Sequence, residues 1–500
     1  MKGVMIQGTS SDSGKSFITT ALCRVFSDMG YKVCPFKSQN MSNNSYVTLS
    51  GLEMGRAQGA QAEAARLEPQ VFMNPILLKP RKDTSSEIVL LGKVFDAPCD
   101  KHYYRDFTMT KGLEVLRKAL EHIDENFEMI VAEGAGSPAE VNLNDGEIVN
   151  MRVAREADIP VVLVTDVDRG GSMASVVGTL ELLGEDRKLV KGIIFNKFRG
   201  DISLFEDAVE WTEKYTGVKV LGVMPMLDVA IESEDSLSIN WGNNSGSATG
   251  VNIGIVRFSR VSNNTDVEAF RFEPDVHLEI IDPNSNLNSL DALILPGTKS
   301  TVQDMESLLN SGLAHRIVDF SRRGGFVFGL CGGYQIMGEK IDDRYFKDND
   351  KTPEIDGLGL LPVTTVFADD KTTARRAGRI IHPSFTAKTE VSGYEIHFGE
   401  TTFNAQHEGF EPLFELDGRP DGAADADLRR AGTYLHNAFH NDIFRNEWLN
   451  IIRAAKGLPS REPIRTTKEK EIAYNALAAA AIKNLDIDYL LKEIIGIEKR

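Results

Sequence analysis

Cysteine is scarce in this chain. Four residues, at positions 23, 34, 99 and 331, are spread through 500. No CxxC pair or Cys/His spacing marks a zinc site, and the density is far below that of a disulfide-stapled scaffold. Positive charge is in deficit: 56 Lys and Arg face 73 Asp and Glu, a formal net charge of −17. That argues against broad nucleic-acid binding, which needs a basic surface, and against adhesion to an anionic membrane. Long apolar runs are missing; those present, such as Ile159–Val164, have strand length and cannot span a bilayer. The opening MKGVMIQGTS reaches a Gly/Ser-rich loop after a few apolar residues, too soon for a signal peptide. These absences predict a cytoplasmic protein with neither nucleic-acid nor membrane partner. Internal repeats and low-complexity tracts are also lacking. What is present is a 42% hydrophobic content, ample for packed cores. At roughly 150 residues per domain, the length suggests about two to four domains.

Short β-branched runs alternate with helical patterns. Val4–Gln7, Lys32–Phe36, Met129–Ala132, Val161–Thr165, Gly192–Phe195 and Lys219–Val223 read as strands buried on both faces, as in a parallel sheet. Between them, Gly112–Glu125 carries Leu113, Leu116, Leu120 and Ile123 at helical spacing. The first half is therefore α/β and doubly wound. The Gly/Ser/Asn-rich stretch Ser236–Gly250 reads as a linker. Strands then resume at Val251–Phe258, Ala292–Leu295 and Gly325–Leu330, a second α/β unit. After Phe444 the pattern is helical to the end, with an Ala-rich run at Ala476–Ile482. The expected domains are 1–235, 251–445 and a helical C-terminal extension, 446–500.

The first strand leads into GTSSDSGKS, Gly8 to Ser16, and then an apolar helix. This is a phosphate-binding loop in its proper strand–helix setting. Gly8 and Gly14 let backbone N–H groups turn onto phosphate oxygens, with Thr9 and Ser13 in the same loop. Lys15 supplies a point charge, and the Ser16 hydroxyl suits Mg²⁺. Five residues separate the two glycines, one more than in the common pattern. Glu133, closing MIVAE, is either a second Mg²⁺ ligand or a solvated strand-end carboxylate. Asn196 follows the strand GIIF, where it either reads a nucleobase edge or serves a turn. After the second strand comes FKSQNMSNNS, Phe36 to Ser45, polar and without acids. Lys37 and its amides suit a carboxylate or a transferring phosphoryl group; the bland alternative is a polar loop.

A second constellation is GLCGGYQ, Gly329 to Gln335, directly after an apolar strand. A cysteine flanked by small residues at a strand-to-helix turn has the form of a nucleophile elbow. A free thiol has a pKa of roughly 8.5, so Cys331 needs a base or a helix N-terminus to become a thiolate near neutrality. The later strand Gly432–Leu435 delivers His436, which suits a Cys–His pair. The turn Leu295–Lys299 is a source of further N–H donors. His277 and His315 have no such context.

GTSSDSGKS with its long spacing, Lys37 and EGAG around Glu133 resemble the dethiobiotin-synthetase type of P-loop. GLCGGYQ with the late HNAFH resembles class I glutamine amidotransferases. In this order the two resemble the glutamine-hydrolysing corrinoid amidases. MIQGTSSDSGKS, PFKSQNMSNNSYVT, GLEMGRAQGAQA, MNPILLKP, TDVDRGG and SGYEIHFG extend that resemblance over nearly the whole chain. The resemblance implies two doubly wound domains, P-loop NTPase-like and then class I glutamine amidotransferase-like, with a helical tail. It implies use of ATP, Mg²⁺ and L-glutamine to amidate a corrinoid polycarboxylate. Within the family the motifs point to four carboxylates of adenosylcobyrinic acid a,c-diamide. The alternatives are amidation of the a and c carboxylates of cobyrinic acid, or, in another class, a partitioning- or assembly-type ATPase. Cys331, His436 and Lys37 are then the catalytic residues, and the two active sites are expected to face each other. Class I glutaminases usually place a glutamate two residues after the histidine. Position 438 is alanine, as in the corrinoid amidases, so the third triad member stays unassigned. Arg375, Arg376 and Arg379 are candidates to offset substrate carboxylates.

Overall fold

A computed structural model describes residues 1–82, 85–95, 106–143, 146–227, 229, 249–346, 348, 352–386, 388–404 and 408–499. The chain forms two compact units. The first comprises Met1–Ser42, Leu52–Glu234 and Lys470–Arg500; the second comprises Asn43–Gly51 and Asp235–Glu469.

The first unit is built on strands β1 (Gly3–Gly8), β2 (Val33–Phe36), β3 (Met129–Glu133), β4 (Val161–Asp166), β5 (Val190–Phe198) and β6 (Lys219–Pro225). They form one parallel sheet in the order β6-β5-β4-β1-β3-β2. Every residue of β1, β3 and β4 is buried, which is why these runs read as continuously apolar. Strand order reverses at β1, between β3 and β4. In open α/β sheets the carboxyl edge at such a switch point is where ligands bind. Helix α1 (Lys15–Asp28) leaves that edge and buries Ile18, Leu22, Val25 and Phe26.

In the second unit, β7 (Val251–Val256), β8 (Val276–Ile281), β9 (Ala292–Leu295) and β10 (Phe326–Leu330) run parallel with the late strand Arg430–Thr433. The sheet order is β8-β7-β9-β10, then Arg430–Thr433, with two antiparallel strands beyond it. A long hairpin, Val363–Ile380 with Glu390–Phe403, makes a further sheet.

The linker expected at Ser236–Gly250 lies mostly outside the described residues. The C-terminal segment is helical, as expected, and its helices divide between the two units. Helix Asp442–Ala455 buries Trp448, Leu449 and Ile452 in the core of the second unit. Beyond Glu469 the chain belongs to the first unit. There Leu477, Ala478, Ala481 and Leu485 join the core beneath α1, and the buried Arg24 guanidinium donates to Asn475 and pairs with Glu471. Within the alanine run of the helix Thr466–Asn484, Leu477, Ala478 and Ala481 are buried while Ala476, Ala479 and Ile482 are exposed.

Candidate active sites

The loop after β1 is shaped by two glycines. Gly14 has φ of +95°, and a Cβ there would lie 2.0 Å from the Asn196 side-chain amide. A Cβ on Gly8 would lie 2.2 Å from the Ser13 hydroxyl and 2.9 Å from Lys15 Nζ. The loop is tied to its neighbours. Thr9 N–H donates to the Val164 carbonyl (2.9 Å), and its hydroxyl donates to Thr165 (3.0 Å). Asn196 Nδ2 donates to the Ser13 carbonyl (3.0 Å), so its observed contact is to the loop itself. Lys15 Nζ donates to the carbonyls of Ser10 (3.0 Å) and Gly136 (2.9 Å).

Glu133 is buried rather than solvated, and three groups converge on it. Ser16 Oγ and Lys37 Nζ reach Oε1 at 2.8 and 3.0 Å, and Gln61 Nε2 reaches Oε2 at 2.5 Å. Gln61 stands on the helix Arg56–Ala64, within GLEMGRAQGAQA, and no spacing argument singles it out. Among the described residues no cluster of three or more His, Cys, Asp or Glu is placed to hold a metal. The paired Ser16 and Glu133 oxygens nevertheless fit Mg²⁺, which takes one or two protein ligands and fills its shell from phosphates and water.

The polar run after β2 divides. Lys37 lies in the first unit on Glu133, but Asn43 to Ser45 belong to the second unit. Arg375, Arg376 and Arg379 also lie in the second unit, where each is engaged. Arg375 donates to the Val47 carbonyl, Arg376 pairs with Glu395 and Asp417, and Arg379 pairs with Glu415.

Cys331 follows β10 with φ 50° and ψ −108°, a conformation that costs a non-glycine residue about 1–3 kcal/mol and recurs at catalytic turns. The short helix Gly332–Met337 then begins. Gly332 and Gly333 press on the turn Leu295–Lys299: a Cβ on Gly333 would meet the Leu295 carbonyl oxygen at 1.9 Å. One donor expected from this turn is already used, since Lys299 N–H bonds the Arg260 carbonyl (3.1 Å). Cys331 N–H bonds the Thr433 carbonyl (2.9 Å), so adjacent parallel strands deliver Cys331 and His436 side by side.

Buried His436 has a partner that the sequence did not reveal. Its Nδ1 lies 2.7 Å from Asp266 Oδ2, while Asp266 Oδ1 accepts the Asn437 N–H at 2.7 Å. Tyr394 stacks on the imidazole, with ring centroids 5.2 Å apart. Burial favours neutral imidazole. The Asp266 carboxylate, then Cys331, outweigh it and push the His436 pKa up to about 10. Asp266 is 170 residues from His436, in a segment with no motif, so only folding pairs them. By contrast, burial pushes the Cys23 and Cys34 thiols up, away from reactivity.

Residues 4–238 match a family described as the CobQ/CobB/MinD/ParA nucleotide binding domain. Residues 252–444 match a CobB/CobQ-like glutamine amidotransferase domain. A curated cobyric acid synthase of Geobacillus thermodenitrificans is 46% identical, covering 99% of both chains. The chain belongs to the cobyric acid synthase family. Other cobyric acid synthases are similar throughout. That of Anoxybacillus flavithermus is 44% identical over 99% of this chain and 98% of its own. That of Streptococcus sanguinis is 42% identical over all of both chains. Membership agrees with two α/β units, one opening on a P-loop and one carrying the cysteine elbow. Among the described residues, no helix is long and apolar enough to cross a membrane.

Proposed function

We propose that this chain makes adenosylcobyric acid, amidating four peripheral carboxylates of adenosylcobyrinic acid a,c-diamide with ATP and L-glutamine in the cytoplasm. The first unit is the synthetase and the second the glutaminase. The observation that carries the reading is the buried Asp266–His436 pair beside Cys331, in a chain that also holds a P-loop.

Hydroxide is a poor leaving group, so a carboxylate does not accept ammonia directly. Transfer of the terminal phosphoryl group of ATP to the carboxylate gives an acyl phosphate and ADP. Ammonia then displaces phosphate and leaves the carboxamide. Lys15 and Lys37 stabilise charge on the transferring group. Mg²⁺, when bound by Ser16 and Glu133, neutralises phosphate charge. Ammonia comes from glutamine. The Cys331 thiolate attacks the side-chain amide carbon, and the C–N bond breaks as His436 gives its proton to the leaving nitrogen. A thioester and free ammonia result; water activated by His436 then releases glutamate. An imidazole with its pKa raised by Asp266 suits proton delivery to a basic leaving group.

Mass spectrometry of the corrinoid product, with ATP and glutamine supplied, tests the reading. Four successive acid-to-amide shifts are expected; turnover only of cobyrinic acid, ending after two, would assign the sister reaction. The Cys331→Ala variant should lose glutamine-dependent amidation and keep it with high ammonium at raised pH. Undiminished glutamine use by that variant would remove Cys331 from the mechanism.

A further inference from the structure

Residues Asn43–Gly51 lie in sequence between two elements of the first unit, yet they belong to the second. Their contacts there are specific and buried. Asn44 Oδ1 accepts the Asn264 N–H at 3.1 Å. Ser45 N–H donates to Asn263 Oδ1 at 2.8 Å, and the Ser45 carbonyl accepts the Tyr394 hydroxyl at 3.0 Å. Arg375 donates to the Val47 carbonyl (2.7 Å) and the Tyr46 hydroxyl (2.5 Å), with its guanidinium over the Tyr46 ring. Val47 packs with Tyr394 and Ile396.

The groups being held are those that orient His436. Asn263 and Asn264 open the turn that carries Asp266, whose N–H bonds the Asn263 carbonyl at 2.9 Å. Asn263 takes a left-handed conformation, φ 53°, which asparagine tolerates better than most residues. Its Nδ2 lies 3.2 Å from His436 Nε2. On the other side, the Tyr394 ring lies on the imidazole and its backbone exchanges hydrogen bonds with His436 at 2.8 and 3.3 Å. The strap thus reaches the histidine by two routes, through the Asp266 turn and through Tyr394.

We propose that Asn43–Gly51 is a positioning strap for the glutaminase. Asn44 and Ser45 fix the Asn263–Asp266 turn, and with Tyr394 they set the orientation of His436. Glutamine hydrolysis then depends on a segment that begins six residues after Lys37 in the chain. The proposal rests on the reading of Cys331 and His436 as the glutaminase.

The test uses full-length Asn44→Ala and Tyr394→Phe, the second preserving the ring stack while removing the bond to Ser45. Steady-state glutamine hydrolysis should show kcat lowered about ten- to hundredfold in both, since small misplacements of catalytic groups cost that much. The glutamine KM should move little, because oriented proton transfer and not binding is lost. Ammonia-dependent amidation by Asn44→Ala should match the parent. Parental kcat in both variants would overturn the strap. So would equal loss of ammonia-dependent amidation in Asn44→Ala alongside parental hydrolysis by Tyr394→Phe, which would return Asn44 to the phosphoryl-transfer site. Cys331→Ala run in parallel must lose hydrolysis; if it does not, the glutaminase reading fails, independently of the strap.

Discussion

Asp266 is the residue whose chemistry most depends on a single contact. Its carboxylate faces His436 Nδ1 at 2.7 Å, leaving the other ring nitrogen for Cys331 chemistry. Asp266→Asn presents an amide in place of that charge and disturbs the tautomer. Glutamine-dependent turnover should fall about 10³- to 10⁴-fold, the loss typical when the acid of such a triad is neutralised. Ammonia-dependent amidation should persist, and comparison of the two nitrogen sources checks this. At the other site, Gly14→Ala forces a side chain into φ +95° and against the Asn196 amide. The KM for ATP should rise at least about tenfold, equivalent to about 1.4 kcal/mol, while glutaminase activity is unchanged.

At the scale of elements, the last helix acts as part of the first unit's core. Leu477 is fully buried with Ala478, Ala481 and Leu485. Leu477→Ala should destabilise that unit by about 2–5 kcal/mol, through lost transfer energy and the cavity left behind. Denaturant midpoints followed through ATP-dependent activity would detect it; a midpoint unchanged from the parent would mean that the helix does not pack there. Arg24 has the same logic with charge. Its buried guanidinium is held by Glu471 and Asn475 from this segment, so truncation before residue 470 leaves it only the longer pair with Asp28 (3.7 Å) and the Ala64 carbonyl.

For the whole molecule, the His436–Asp266 pair links stability to pH. The folded-state pKa of His436 is raised, from 6.5 to about 10. The folded form therefore binds the proton more tightly than the unfolded chain. That stabilisation is complete below about pH 6.5 and is lost as pH rises towards 10. Thermal midpoints measured across this window should decline in the parent with a component that Asp266→Asn lacks. A second molecular property follows from one P-loop and no internal repeat in 500 residues. One synthetase site must process four carboxylates in turn, so partly amidated corrinoids should appear free in solution. A pulse–chase experiment in which labelled intermediates fail to exchange with added substrate would contradict this.

The amino-acid order alone determined the parallel sheets, because strands buried on both faces must be apolar along most of their length, as β1, β3 and β4 are up to their polar carboxyl ends. It also determined the P-loop and the cysteine elbow, whose chemistry needs particular residues within a few positions of one another. Tertiary structure decided what depends on residues distant in sequence. Asp266 meets His436 across 170 positions, and Gln61 meets Glu133 across 72, with no local pattern to announce either pair. The run from Phe36 to Ser45 reads as one polar loop, yet it divides between two units because Asn44 and Ser45 find their hydrogen-bond partners at Asn263 and Asn264. The alanine-rich end reads as a helical extension, and it is helical. Whether a weakly amphipathic helix stays in water or covers a core is set by the surface that awaits it, and here α1 and β6 supply one.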